Sequence, residues 1–164
     1  MVIKPHLKEV KNSPIFLAMS EPAMEFQIAS SLENDQAALI IRLKELIQYQ
    51  AETTKDSFSK AIEELSKVSL KMRVLRAWNV EQVENKVLFS WPATLSDEFL
   101  HLIAARNSIA AVIVSHFAAL VYQAPPAWWT KAWPERIVSV AWEIVQRTEL
   151  TEWLEWPLQI VIGD

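Results

Sequence analysis

The sequence predicts an all-α fold, a single-domain helical bundle over residues 1–164 built around a buried apolar helix at about residues 108–122. Three observations lead there. The 164 residues contain one glycine, Gly163, and no Asn-Gly or Asp-Gly pair, whereas tight hairpins and phosphate-cradling loops draw on glycine for positive φ. Apolar residues recur at three-and-four spacing, the period of an amphipathic helix. Hydrophobic residues make up 51% of the chain, enough at this length to bury one substantial core.

The elements follow in chain order. Glu21 to Leu32, with Pro22 suited to a first helical turn, reads as a short helix. From Asp35, a suitable N-cap, Leu39, Leu43, Leu46 and Ile47 mark an amphipathic helix. After the polar break Glu52 to Lys55 the pattern continues through Phe58, Ile62, Leu65 and Val68 or Met72, giving two helices or one long bent one. Asn79 punctuates the chain. Val87, Leu88 and Phe89 then read as an extended apolar run ending at Pro92, which biases Trp91 away from helical geometry, so a linker between helical layers is expected.

Helix resumes near Ser96 or Asp97 and reaches Arg106 through Phe99, Leu100, Leu102 and Ile103. Asn107 caps the next segment, Ser108 to Tyr122, which is apolar on every side and must therefore be buried on every side. It is too short for a membrane span and carries His116. Pro125 and Pro126 end it. Trp133 and Pro134 start a further helix with one apolar stripe, Ile137, Val140 or Ala141, Ile144 and Val145. Trp153-Leu154-Glu155-Trp156-Pro157 and an apolar tail close the chain.

Composition removes several function classes. Cysteine is absent and the three histidines, His6, His101 and His116, are scattered, so no disulfide framework, thiolate metal site or cofactor is expected. A net charge of −4 gives no pull toward phosphate, and direct nucleic-acid binding by this chain is not expected. Met1 to Val10 is charged, carries Pro5 and lacks the apolar core of a signal peptide. A nuclear or cytoplasmic address without a membrane span follows.

Of the eight tryptophans, all but Trp78 fall from Trp91 onward, around the apolar helix. So dense an aromatic wall packs a core, lines a pocket for an apolar ligand, or does both. The candidate ligand-binding residues are Trp91, Ile113, His116, Phe117, Trp128, Trp129 and Trp133. Trp128, Trp129 and Trp133 follow a proline-rich turn, as a lid over the central helix or as core. Burial would keep His116 neutral with one ring nitrogen seeking a partner, which suits a ligand hydroxyl or a core hydrogen bond alike. His116 is also the first candidate for catalysis, ahead of Glu98 and His101. Asp97, Glu98 and His101 lie within one helical turn, as an acid/base cluster or as a capped helix start with Glu98 at its positive end.

Several of these residues, taken in order, carry a family likeness. Phe89-Ser90-Trp91-Pro92, Asp97-Glu98-Phe99, the apolar helix ending Val114-Ser115-His116-Phe117-Ala118-Ala119-Leu120, Trp128-Trp129, Trp133, and Trp156-Pro157 through Ile162-Gly163 resemble the C-terminal end of fungal binuclear zinc cluster transcription factors, the sterol uptake control type above all. The resemblance covers about residues 87–163. It implies an all-helical regulatory domain that in some members receives a sterol or other hydrophobic effector. The cysteines and basic stretch of that family's DNA-binding module are missing from this sequence, and Asn107-Ser108 stands where the family often has Asp-Pro.

Three functions are then expected in descending order. The first is a receptor-like domain that binds a sterol or other lipophilic natural product and signals through a partner or its own dimer. The second is an isomerase or cyclase of fungal secondary metabolism using the same cavity, with His116 or a carboxylate moving a proton. The third is a dimerisation or interaction domain with a filled core.

Overall fold

The computed structural model describes residues 36–77, 86–124 and 132–163. Among the described residues there are seven α-helices and no strand, so the all-α expectation holds. Helix α1 (Gln36–Arg42) tightens into a 3-10 segment (Leu43–Ile47) and is followed by α2 (Glu52–Ala77), α3 (Ser90–Thr94), α4 (Asp97–Ala104) and α5 (Ser108–Gln123). Helix α6 (Trp133–Val145), a second 3-10 segment (Glu149–Leu154) and α7 (Glu155–Val161) complete it. The expected helix Glu21 to Leu32, the Asp35 cap, Trp78, Asn79, Pro125, Pro126, Trp128 and Trp129 lie outside the described residues.

Helices α1 and α2 form a pair. Ile40, Leu43 and Ile47 meet the α2 stripe Phe58, Ile62, Leu65, Val68 and Met72 in one buried cluster, each large side chain contributing about 1.5–3 kcal/mol of burial. The break between them falls at residues 48–51, ahead of the expected Glu52 to Lys55. Those polar residues form the first turn of α2, where open N–H groups face water and Glu52 meets the positive helix end.

The expected extended run at Val87 to Phe89 is corrected: residues 86–88 are helical and Trp91 lies inside α3. Pro92 is tolerated as the third residue of that helix because N–H groups in a first turn have no intrahelical acceptor. The local bias on Trp91 yields to tertiary bonding. Its ring is 2% exposed and its Nε1–H donates to the carbonyl of Ala61 at 2.9 Å.

Ser96 caps α4 by accepting from the Phe99 N–H at 3.1 Å. Arg106 takes a left-handed conformation, φ 58°, and its N–H and that of Asn107 close back onto the carbonyls of Ile103 and Leu102. This Schellman-type closure ends α4. One residue on, Asn107 Oδ1 accepts from the Ala110 N–H at 3.0 Å and starts α5, the two helices meeting at 100°.

Helix α5 is the centre of the bundle, touching α2, α4, α6, α7 and both 3-10 segments. Its run Ser115 to Val121 is buried without interruption. The α6 stripe divides: Val138, Ala141 and Val145 are buried, while Ile137, Val140 and Ile144 are half-buried beside a surface groove. The tail read only as apolar is helical, with Pro157 buried in the first turn of α7. Gly163 follows it, where a Cβ would lie 2.4 Å from the Gln159 carbonyl oxygen. No single described helix is long and apolar enough to cross a membrane.

Candidate functional site

The aromatic wall has two parts with different roles. Phe58, Phe99, Trp91, Phe117 and Trp133 run in ring contact through the core, with Trp91 and Phe117 closest at 4.7 Å between centroids. Phe89 joins it edge-on to Phe117 at 5.9 Å. Such pairs add about 0.5–1.5 kcal/mol each beyond area burial. Trp91, Ile113 and Phe117 are buried in this packing, and Trp133 lies half-buried at its edge.

The second part borders a cleft of about 480 Å³ between α1, the two 3-10 segments, α5 and α7. Trp153 and Trp156 form its aromatic side with Leu39, and His116 reaches it from α5. The His116 ring lies 5.5 Å from that of Trp156, tilted by 34°. Arg42, Glu45, Glu152, Glu155 and Gln159 supply its polar groups. Of the predicted ligand-binding residues that are among the described residues, His116 alone lines this cleft.

His116 is 3% exposed. Its Nδ1 lies 2.9 Å from the carbonyl oxygen of Val112, one turn back on α5. A carbonyl only accepts, so Nδ1 carries the proton and donates, and Nε2 is left as an acceptor without a partner among the described residues. Burial disfavours the imidazolium and outweighs the help from Val112, lowering the pKa from 6.5 to about 4. At neutral pH the cleft therefore holds an uncharged ring with one open acceptor.

Glu98 and His101 are not brought to this cleft. Glu98 accepts from Ser57 Oγ at 2.8 Å and from Thr54 Oγ1 at 3.4 Å, near the start of α2. His101 is exposed with Nδ1 on the Asp97 carbonyl at 2.8 Å. Among the described residues no three His, Asp or Glu side chains converge on a metal site.

A second cleft of about 300 Å³ runs between the end of α4, the start of α5 and α6. Ile103, Val114, Ile137, Val140 and Ile144 make it almost wholly apolar, with Arg106 and Arg136 at its polar edge. It has no buried titratable group, which singles out the His116 cleft as the candidate site.

The sequence reading missed Arg42, Glu45, Glu152, Glu155 and Gln159 as site residues, and took Trp153 and Trp156 only as part of a wall. A signal was present. Glu152-Trp153-Leu154-Glu155-Trp156 repeats Glu-Trp at a spacing of three, which sets like side chains beside one another on one helical face.

No protein-family model, curated protein or solved structure matches the chain.

Proposed function

We propose that the chain is a receptor-like helical domain that binds a hydrophobic small molecule in the His116 cleft. One observation supports this above the rest: a buried, neutral His116, whose Nε2 has no partner among the described residues, lines a cleft walled by Trp153 and Trp156. An apolar body would lie against the indoles and a hydroxyl or N–H would donate to Nε2. Leu39 and the two indoles would supply the apolar contact, and the polar groups around them would orient the ligand. Sterols and other lipophilic natural products fall within that class, and the likeness to fungal zinc cluster regulators would give the domain a regulatory role.

The isomerase or cyclase reading asks more of His116. A general base works best with a pKa near the operating pH, and at about 4 this ring is a weak base at neutrality. Holding a donor suits it better than moving a proton.

The test is native mass spectrometry with organic extraction of the purified chain, followed by titration of tryptophan fluorescence with sterols and other lipophilic compounds. A co-purifying mass, or saturable quenching abolished in His116→Phe and retained in Trp133→Phe, is expected. A ligand-free protein that no compound quenches overturns the proposal.

A further inference from the structure

The cleft around His116 is unevenly charged. Among the described residues, Glu45, Glu152 and Glu155 line it against one cation, Arg42. The Arg42 guanidinium is engaged from two sides: Nε lies 3.9 Å from Glu45 Oε1, and Cζ lies 5.7 Å from the centroid of the Trp153 ring. That contact shows what the aromatic side attracts, a cation on an indole face. Glu152 and Glu155 make no ion pair among the described residues.

His116 supplies the independent observation. It is buried to 97% by its 3% exposure and spends its one ring proton on Val112. Nε2 has no donor among the described residues, although the ring lines the cleft. Glu152 and Glu155 are exposed and without an ion pair among the described residues, and Nε2 of the buried His116 is an acceptor beside them, so all three groups favour a donor and the carboxylates also favour positive charge.

Resting on the binding proposal above, we infer that the ligand is a lipophilic ammonium, an apolar body carrying a protonated amine. Its N–H groups serve His116 and the carboxylates, while its body covers Leu39, Trp153 and Trp156. A neutral alcohol would satisfy His116 and leave Glu152 and Glu155 uncompensated. A fatty acid would add a further negative charge to an acidic cleft.

The experiment is calorimetric titration of the intact chain at low ionic strength with octylamine, octanol and octanoate, probes of equal chain length. Octylamine is expected to bind about fivefold or more tighter than octanol, the scale of a cation–π contact plus partly exposed ion pairs, with octanoate weakest. In Glu152→Gln/Glu155→Gln the octylamine advantage falls to near unity while octanol is unchanged. In Arg42→Gln, which removes the resident cation, octylamine tightens severalfold and octanol does not. Octanol binding as tightly as octylamine, or an amine affinity unmoved by the double substitution, overturns the inference and leaves the binding proposal standing. Absence of binding by all three probes overturns the inference, and the binding proposal is then decided by the titration with sterols and other lipophilic compounds.

Discussion

The indole Nε1–H of Trp91 donates to the carbonyl oxygen of Ala61 at 2.9 Å, and the bond ties α3 to the middle of α2. The same ring packs against Phe117 of α5, so one side chain joins three helices. Trp91→Ala should destabilise the protein by about 3–5 kcal/mol, the range for deleting a large buried ring. Trp91→Phe keeps most of the ring contact and loses the hydrogen bond, with a cost of about 1–2 kcal/mol expected. Urea unfolding of the two variants separates these values, and equal losses would deny the bond any part.

His116 should make stability depend on pH within a defined window. Its folded-state pKa is lowered from 6.5 to about 4, so between these values the unfolded chain binds more protons, and stability rises with pH. The contribution is complete above about pH 6.5 and is lost as pH falls toward 4. The full difference amounts to roughly 3 kcal/mol. Among the described residues, Arg42, Glu45, Glu152 and Glu155 are the charged residues that line the same cleft. Unfolding free energies at pH 7.5 and pH 5 should differ clearly for the parent chain and by much less for His116→Phe; identical slopes would remove His116 as the cause.

Arg106 and Asn107 make the 100° corner between α4 and α5. A left-handed backbone costs a residue with a Cβ about 1 kcal/mol, and the Arg106–Glu143 contact is exposed at 4.0 Å and contributes little. Arg106→Gly should therefore raise stability by about 0.5–1 kcal/mol, and Arg106→Val should lower it. Asn107→Ala removes the cap on the Ala110 N–H and should cost about 1 kcal/mol. Thermal unfolding ranks the three, and a destabilised Arg106→Gly would contradict the corner as described.

Ser69 lies buried on α2 with no hydrogen-bond partner for its Oγ among the described residues. A buried unpaired hydroxyl costs about 1–3 kcal/mol, so Ser69→Ala should stabilise the protein by about 1 kcal/mol. A loss of stability in chemical denaturation would mean that this hydroxyl is satisfied.

The helical segments were legible because their signals are local. Asn107, the apolar run after it, and the Trp133-Pro134 start depend on neighbours within a turn or two, and each element appears where its residues place it. Trp91 was misread because its conformation is decided by Ala61, far away in sequence, against a local proline bias. The cleft was hardest to read. Arg42, His116, Glu152 and Trp156 come from four elements that meet only in the folded bundle, and no period in the chain relates them. His116 stood out alone because a titratable group in an apolar helix is anomalous without knowledge of its surroundings.

The most direct test of the binding site is a long-range proton–nitrogen NMR spectrum of histidine-labelled protein at neutral pH, recorded with and without octylamine. The expected spectrum shows His116 neutral, protonated on Nδ1, with an Nε2 resonance that octylamine shifts saturably while His101 stays in place. A His116 protonated on both nitrogens, or an Nε2 resonance that no hydrophobic donor moves, would contradict the cleft as a binding site.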